Sequence, residues 1–93
     1  MEITFDPAKN ERNVRQRGLS FERAVEFDFN NSLRSIDSRR DYGETRHVAV
    51  GYLGQRLHVL CFVETVTRIR VVSFRRANRR EMRRYENAQA AHR

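Results

Sequence analysis

The chain has 93 residues, with 19 Lys and Arg against 12 Asp and Glu, for a formal net charge of +7. That length supports one domain with one modest core, so residues 1–93 form a single unit and any active site must be shallow or shared with a partner. A positive excess of this size argues against small neutral substrates and for a polyanion or an acidic protein surface.

The charge is unevenly placed. Residues 1–45 carry eight basic and nine acidic side chains, whereas residues 46–93 carry eleven Arg against three Glu. Arg provides every basic residue except Lys9, and its planar fork grips phosphate in bidentate fashion and stacks on bases. Cys61 stands alone, which excludes an internal disulfide and a cysteine zinc cluster. Its neighbours in "LHVLCFV" predict a buried, reduced thiol. No stretch has the apolar length of a signal peptide or a membrane span, so a soluble cytoplasmic protein is expected.

Along the chain, 3–6 ("ITFD") reads as a short edge strand. Asp6-Pro7 then predicts a helix start, with Asp as N-cap and Pro at the first position. That helix runs to Arg17 and stops at Gly18, and Ala8 and Val14 are its candidate core residues. Ser20 caps a second helix over 21–29, in which Phe21, Ala24 and Val25 share a face. Residues 30–45 are polar and turn-rich, with room for one short strand at 33–37. Strands at 46–53, 56–63 and 68–74 follow, joined by Gly54-Gln55 and by 65–67, and predict an antiparallel meander. Alternation in the last of these sets Ile69, Val71 and Ser73 against Arg70, Val72 and Phe74. A final helix begins near Asn78, where Asn78 and Glu81 have the spacing of a capping box.

Three segments together resemble the BrnT family of type II toxins. "FDPAKNERNVRQRGLSFERA" (5–24) is similar to that family's opening, "GETRHVAVG" (43–51) to its middle signature, and "RIRVVSFRRANRREMRRYE" (68–86) to its closing Arg-Ile strand and Arg-rich helix. The resemblance implies a RelE-like α+β fold: two N-terminal helices packed on a small antiparallel sheet of three to four strands, followed by a C-terminal helix. It also implies a ribonuclease that inhibits translation and is neutralised by a BrnA antitoxin, with operator DNA bound only through the antitoxin complex. Two positions depart from the pattern. The family's Lys-His-Gly reads Gln16-Arg17-Gly18, so no role of that His carries over, and Phe74 stands where a small residue is common.

RNA cleaves itself when its 2′-OH is deprotonated, the phosphorane charge is stabilised and the 5′ oxygen is protonated. Such chemistry needs no metal and no cofactor, and neither is expected: His47, His58 and His92 are not spaced as ligands on one element. Arg46, Arg75 and Arg76 are the candidate catalytic phosphate stabilisers, because adjacent antiparallel strands could bring such strand ends to one sheet edge. Glu81 and Glu64 are candidate bases, and Tyr85 a candidate acid or base-stacking group. The capping box alone would also explain Glu81, and core packing would explain Tyr85. Lys9, Arg68, Arg79, Arg80, Arg83 and Arg84 are candidate RNA contacts. Six Arg lie within 73–85 with Glu81 the single acid, and such crowded cations favour an incoming anion over a merely solvated face. Two alternatives stay open: a non-catalytic module that binds RNA or the ribosome, and an inactive relative that acts with its antitoxin in operon repression.

Overall fold

The chain is described over residues 2–91 by a computed structural model. It begins with β1 (Glu2–Phe5), turns at Asp6 and enters α1 (Pro7–Arg17). Asp6 accepts the Ala8 N–H at 2.9 Å and Pro7 takes the first helical position, so both start signals act as their chemistry predicts. Gly18, at φ 65°, closes the helix by donating its N–H to the Val14 carbonyl. Ala8 and Val14 are exposed rather than buried. Two amides dock the helix instead: Asn13 Nδ2 donates to the Leu19 and Phe74 carbonyls at 2.9 and 3.0 Å, and Asn10 Oδ1 accepts the Phe21 N–H at 2.7 Å. A helix with few apolar residues is held by satisfying backbone groups that burial would otherwise leave unpaired.

The expected second helix is a single 3₁₀ helix, Phe21–Glu26. Its buried face is Phe21, Ala24 and Phe27, at 2%, 0% and 4% exposure, while Val25 is 71% exposed. A period of three residues per turn puts residues spaced by three on one line, and that line leaves Val25 outside. Phe27, extended just past the helix, completes the row.

β2 (Leu33–Ile36), β3 (His47–Leu53), β4 (Arg56–Glu64) and β5 (Arg68–Arg76) complete a five-stranded sheet in the order β1-β5-β4-β3-β2. β2 through β5 are antiparallel neighbours, whereas β1 pairs with β5 in parallel, from Glu2 opposite Arg68 to Phe5 opposite Val71. The architecture implied by the resemblance is corrected here: the sheet is mixed and five-stranded, and only one α-helix precedes the meander. The four residues of β1 gain their place from a partner near the other end of the chain, which no local pattern encodes.

Pairing of β4 with β5 slips at Cys61/Phe62, where Cys61 faces Ser73, Phe62 faces Val71, and Val72 is the extra residue. Such a bulge reverses the alternation beyond it. Val71 and Phe74, on opposite faces by simple alternation, therefore lie on the same face, packed with Phe21, Phe27, Leu60 and Phe62. The opposite face carries a smaller cluster in which Val50, Leu57 and Val59 meet Tyr85 of α2 (Arg79–Ala91). Cys61 is a free, buried thiol. No helix among the described residues is long and apolar enough to cross a membrane.

Candidate nucleic-acid interface

β5 ends in two arginines whose side chains part. Arg75 lies opposite Val59 and Arg76 opposite His58, and successive strand residues point to opposite faces. On the α2 face, the Arg75 guanidinium donates to both Glu81 oxygens at 2.8 Å. Glu81 also accepts the Asn78 N–H at 2.8 Å, while Asn78 Oδ1 accepts the Glu81 N–H at 2.9 Å, which completes the capping box. The Arg75 guanidinium, aided by the Asn78 N–H, holds the Glu81 carboxyl below its usual range. Glu81 is thus an ionised anchor whose oxygens are already engaged.

Arg46 shares that face. Its guanidinium stacks 3.9 Å over the Tyr42 ring and its Nε lies 3.8 Å from Glu44. Arg39 pairs with Asp37 at 2.8 Å. Arg39, Arg46 and Arg75 border a groove of about 580 Å³ floored by Val48, Val59 and Cys61. Arg39 and Arg75 are each matched by a carboxylate and Arg46 shares Glu44 with Arg70, so much of the groove's positive charge is already compensated.

The other face differs. A hollow of about 790 Å³ is bordered by Arg17, Arg23, Arg56, Arg75, Arg76 and His58, with no carboxylate in its lining. Arg17 comes from the last turn of α1 beside Gly18, Arg23 from the 3₁₀ helix, Arg56 and His58 from β4, and Arg76 from β5. Arg17 donates to Asn13 Oδ1 at 2.8 Å, so the amide that docks α1 also orients this guanidinium. Arg23 pairs with exposed Glu26 at 3.2 Å. Among the described residues Arg56 and Arg76 have no ion-pair partner.

His58 is buried at the edge of this hollow, its ring 5.6 Å from that of Phe74. Its Nδ1 lies 2.9 Å from the Arg56 carbonyl, which can only accept, so Nδ1 carries the proton and Nε2 the lone pair. Burial pulls the imidazole pKa below its usual value; Arg76, Arg23 and Arg56 push the same way, against the Arg56 carbonyl.

The remaining candidates are dispersed. β3 and β5 both run antiparallel to β4, so Arg46, just before β3, and Arg76, at the end of β5, lie toward opposite ends of the sheet. Glu64 pairs with Arg34 at 3.5 Å and Arg68 with Glu2 at 3.3 Å, away from Arg76. Tyr85 is buried, donates its hydroxyl to the Asn31 carbonyl at 2.8 Å and meets Tyr52 edge-on; burial pushes its phenol pKa up. Lys9 is exposed on α1, and Arg79, Arg80, Arg83 and Arg84 are exposed along α2. His47 stacks on Phe62, and His92 lies outside the described residues.

Sequence reasoning missed Arg17, Arg23 and Arg56, and set His58 aside as a catalyst because it occupies no family motif position. The available signals were the arginine beside the Gly18 helix stop and the position of Arg56 directly after the Gly54-Gln55 turn. Pairing His58 with Arg76 requires the β4–β5 register and its bulge.

The chain's fold is similar to the crystal structure of the Brucella abortus ribonuclease toxin BrnT, at 22% identity over 85% of this chain and 99% of that one, with a TM-score of 0.63. No curated protein matches it significantly. The family model for "Ribonuclease toxin, BrnT, of type II toxin-antitoxin system" matches residues 5–81. That span takes in every residue bordering the hollow, and it places the chain in the BrnT family of ribonuclease toxins of type II toxin–antitoxin systems.

Proposed function

We propose that the chain cleaves single-stranded RNA by attack of a 2′-OH on the adjacent phosphodiester, without a metal, and that the strand lies in the arginine hollow. The observation that carries this reading is the convergence of Arg17, Arg23, Arg56 and Arg76 from four elements on one cavity with no carboxylate in its lining. A phosphodiester entering it relieves the mutual repulsion of these cations, and the phosphorane gains more because it bears an additional negative charge. Fixed guanidiniums supply that charge stabilisation in place of a cation cofactor. Arg75, braced by Glu81, holds the β5–α2 junction at the rim. Exposed Arg79, Arg80, Arg83 and Arg84 extend the positive surface along α2 for flanking phosphates. In the cytoplasm, a cognate antitoxin would neutralise the protein by covering this surface, and operator DNA would be met only through that partner.

The test is incubation of the purified protein with RNA in EDTA. Fragments ending in a 2′,3′-cyclic phosphate are expected, because internal attack leaves that product. Intact RNA, or fragments with 5′-phosphate and 3′-hydroxyl ends, would overturn the mechanism. The paired substitution R56A/R76A should abolish both RNA binding and cleavage while the far-ultraviolet circular dichroism stays unchanged.

A further inference from the structure

Of the proton-transfer candidates the sequence favoured, Glu81, Glu64 and Tyr85, none is free within the hollow. Glu81 is bound by Arg75 and Asn78, Glu64 lies beside Arg34, and Tyr85 is packed under α2 with its hydroxyl on Asn31. One titratable side chain of the hollow can accept a proton, and it is an imidazole. We propose that His58 is the general base of the cleavage reaction, taking the 2′-OH proton through Nε2.

This inference rests on the placement of RNA in the arginine hollow. Three features of the site lead to it. The Arg56 carbonyl fixes Nδ1 as the protonated nitrogen, which leaves the Nε2 lone pair for the substrate. Nε2 has no hydrogen-bond partner among the described residues, and His58 is one of the residues that line the open hollow. The groups around it are Arg17 from α1, Arg23 from the 3₁₀ helix with Glu26 beside it, Arg56 from its own strand, and Arg75 and Arg76 from β5. Burial, with the charges of Arg76, Arg23 and Arg56 acting the same way, favours the neutral imidazole, which is the form a base requires.

The step balances without an added reagent. Nε2 accepts the 2′-OH proton as the 2′ oxygen forms a bond to phosphorus, and the bond from phosphorus to the 5′ oxygen breaks. The leaving 5′ oxygen takes a proton from water in the open hollow, and the imidazolium returns its own to water. Formation of an imidazolium among guanidiniums would ordinarily be disfavoured. Here it coincides with the added negative charge of the phosphorane, which offsets it.

The test uses His58→Asn, whose amide nitrogen can still donate toward the Arg56 carbonyl while no basic nitrogen replaces Nε2. The expected result is a fall in kcat of at least about 100-fold, with affinity for a 2′-deoxy oligonucleotide unchanged within about twofold. The wild-type rate should rise with pH along an acid limb whose midpoint lies below the 6.5 of an ordinary imidazole. Removing a neighbouring cation by Arg23→Gln should move that midpoint to higher pH. Cleavage by H58N within threefold of wild type, or an acid limb that R23Q leaves in place, would overturn the assignment. Should H58N fail to fold, nitrogen-detected NMR of the wild-type imidazole decides: the 2′-deoxy oligonucleotide must perturb the Nε2 resonance, and an unperturbed resonance refutes the proposal. The two layers separate cleanly. If R56A/R76A still binds RNA as wild type does, the hollow itself is wrong; if it loses binding while H58N cleaves normally, only the base is wrong.

Discussion

Asn13 is the polar residue on which both the docking of α1 and the shape of the hollow depend, and Asn13→Ala tests that directly. The side chain is buried, its Nδ2 serves the Leu19 and Phe74 carbonyls, and its Oδ1 accepts from Arg17. Truncation leaves two buried acceptors without this donor, and a stranded buried acceptor costs about 1–3 kcal/mol. Because a carbonyl keeps a second lone pair for other partners, the lower part of that range applies to each, and the total is about 2–4 kcal/mol. Urea unfolding followed by circular dichroism measures it, and each kcal/mol should lower the melting temperature by about 4–8 °C for a domain of this size. Asn13→Asp should be worse, since it sets a carboxylate against two carbonyl oxygens. A loss under about 0.5 kcal/mol in N13A, or equal stability of N13A and N13D, would refute the claim that this amide holds the helix to the sheet.

Gly51→Ala should cost about 1–3 kcal/mol, read by the same unfolding assay, because the added Cβ would stand 2.9 Å from the Phe27 ring and 3.2 Å from the Asp28 carbonyl; a neutral effect would mean that Phe27 shifts freely. Glu81→Gln should lower stability at neutral pH by about 1 kcal/mol or less. Since the folded state depresses the Glu81 pKa, its contribution is present above the unfolded value near 4.5 and is lost as pH falls through the folded one. The stability difference between wild type and E81Q should therefore shrink on acidification below that value, and a difference that grows there would contradict the Arg75 clamp. Arg76→Ala should reduce the salt dependence of single-stranded RNA binding by about 0.7 in the log–log slope, whereas an unchanged slope would remove Arg76 from the phosphate path.

What the sequence disclosed was mostly what short-range chemistry decides. Asp6, Pro7 and Gly18 bracket α1, and Asn78 and Glu81 cap α2, because each signal acts within a few residues of itself. The strands of the meander were readable from their β-branched and apolar content. The parallel place of β1 was not, since Ile3, Thr4 and Phe5 look the same whether they end a sheet alone or join β5. Nor was the docking of α1: a search for apolar residues passes over Asn10 and Asn13, whose value appears only once the Phe21 amide and the Phe74 and Leu19 carbonyls are in place. The 3₁₀ turn was misread for a related reason, because Phe21 and Ala24 suit either helical period and the two are told apart by buried Phe27 and exposed Val25.

The candidate site was harder to read because one residue, Val72, resets which arginine faces which side. Counting by twos from Val71 puts Ser73 and Arg75 on the face packed under the 3₁₀ helix, and with them the phosphate site. The bulge inserts one position, so Phe74 and Arg76 take that face instead and Arg75 turns toward Glu81. Two adjacent residues of identical chemistry are thereby separated into unlike settings. One guanidinium is neutralised by a capping carboxylate and fixes the start of α2; the other stands beside His58 in a cavity whose lining holds several arginines and no carboxylate. A dense arginine run conceals this division, since composition counts charges and the pleat decides which of them remain uncompensated. The partner register of β4 and β5, more than the number of arginines after it, sets where this chain can receive a phosphate.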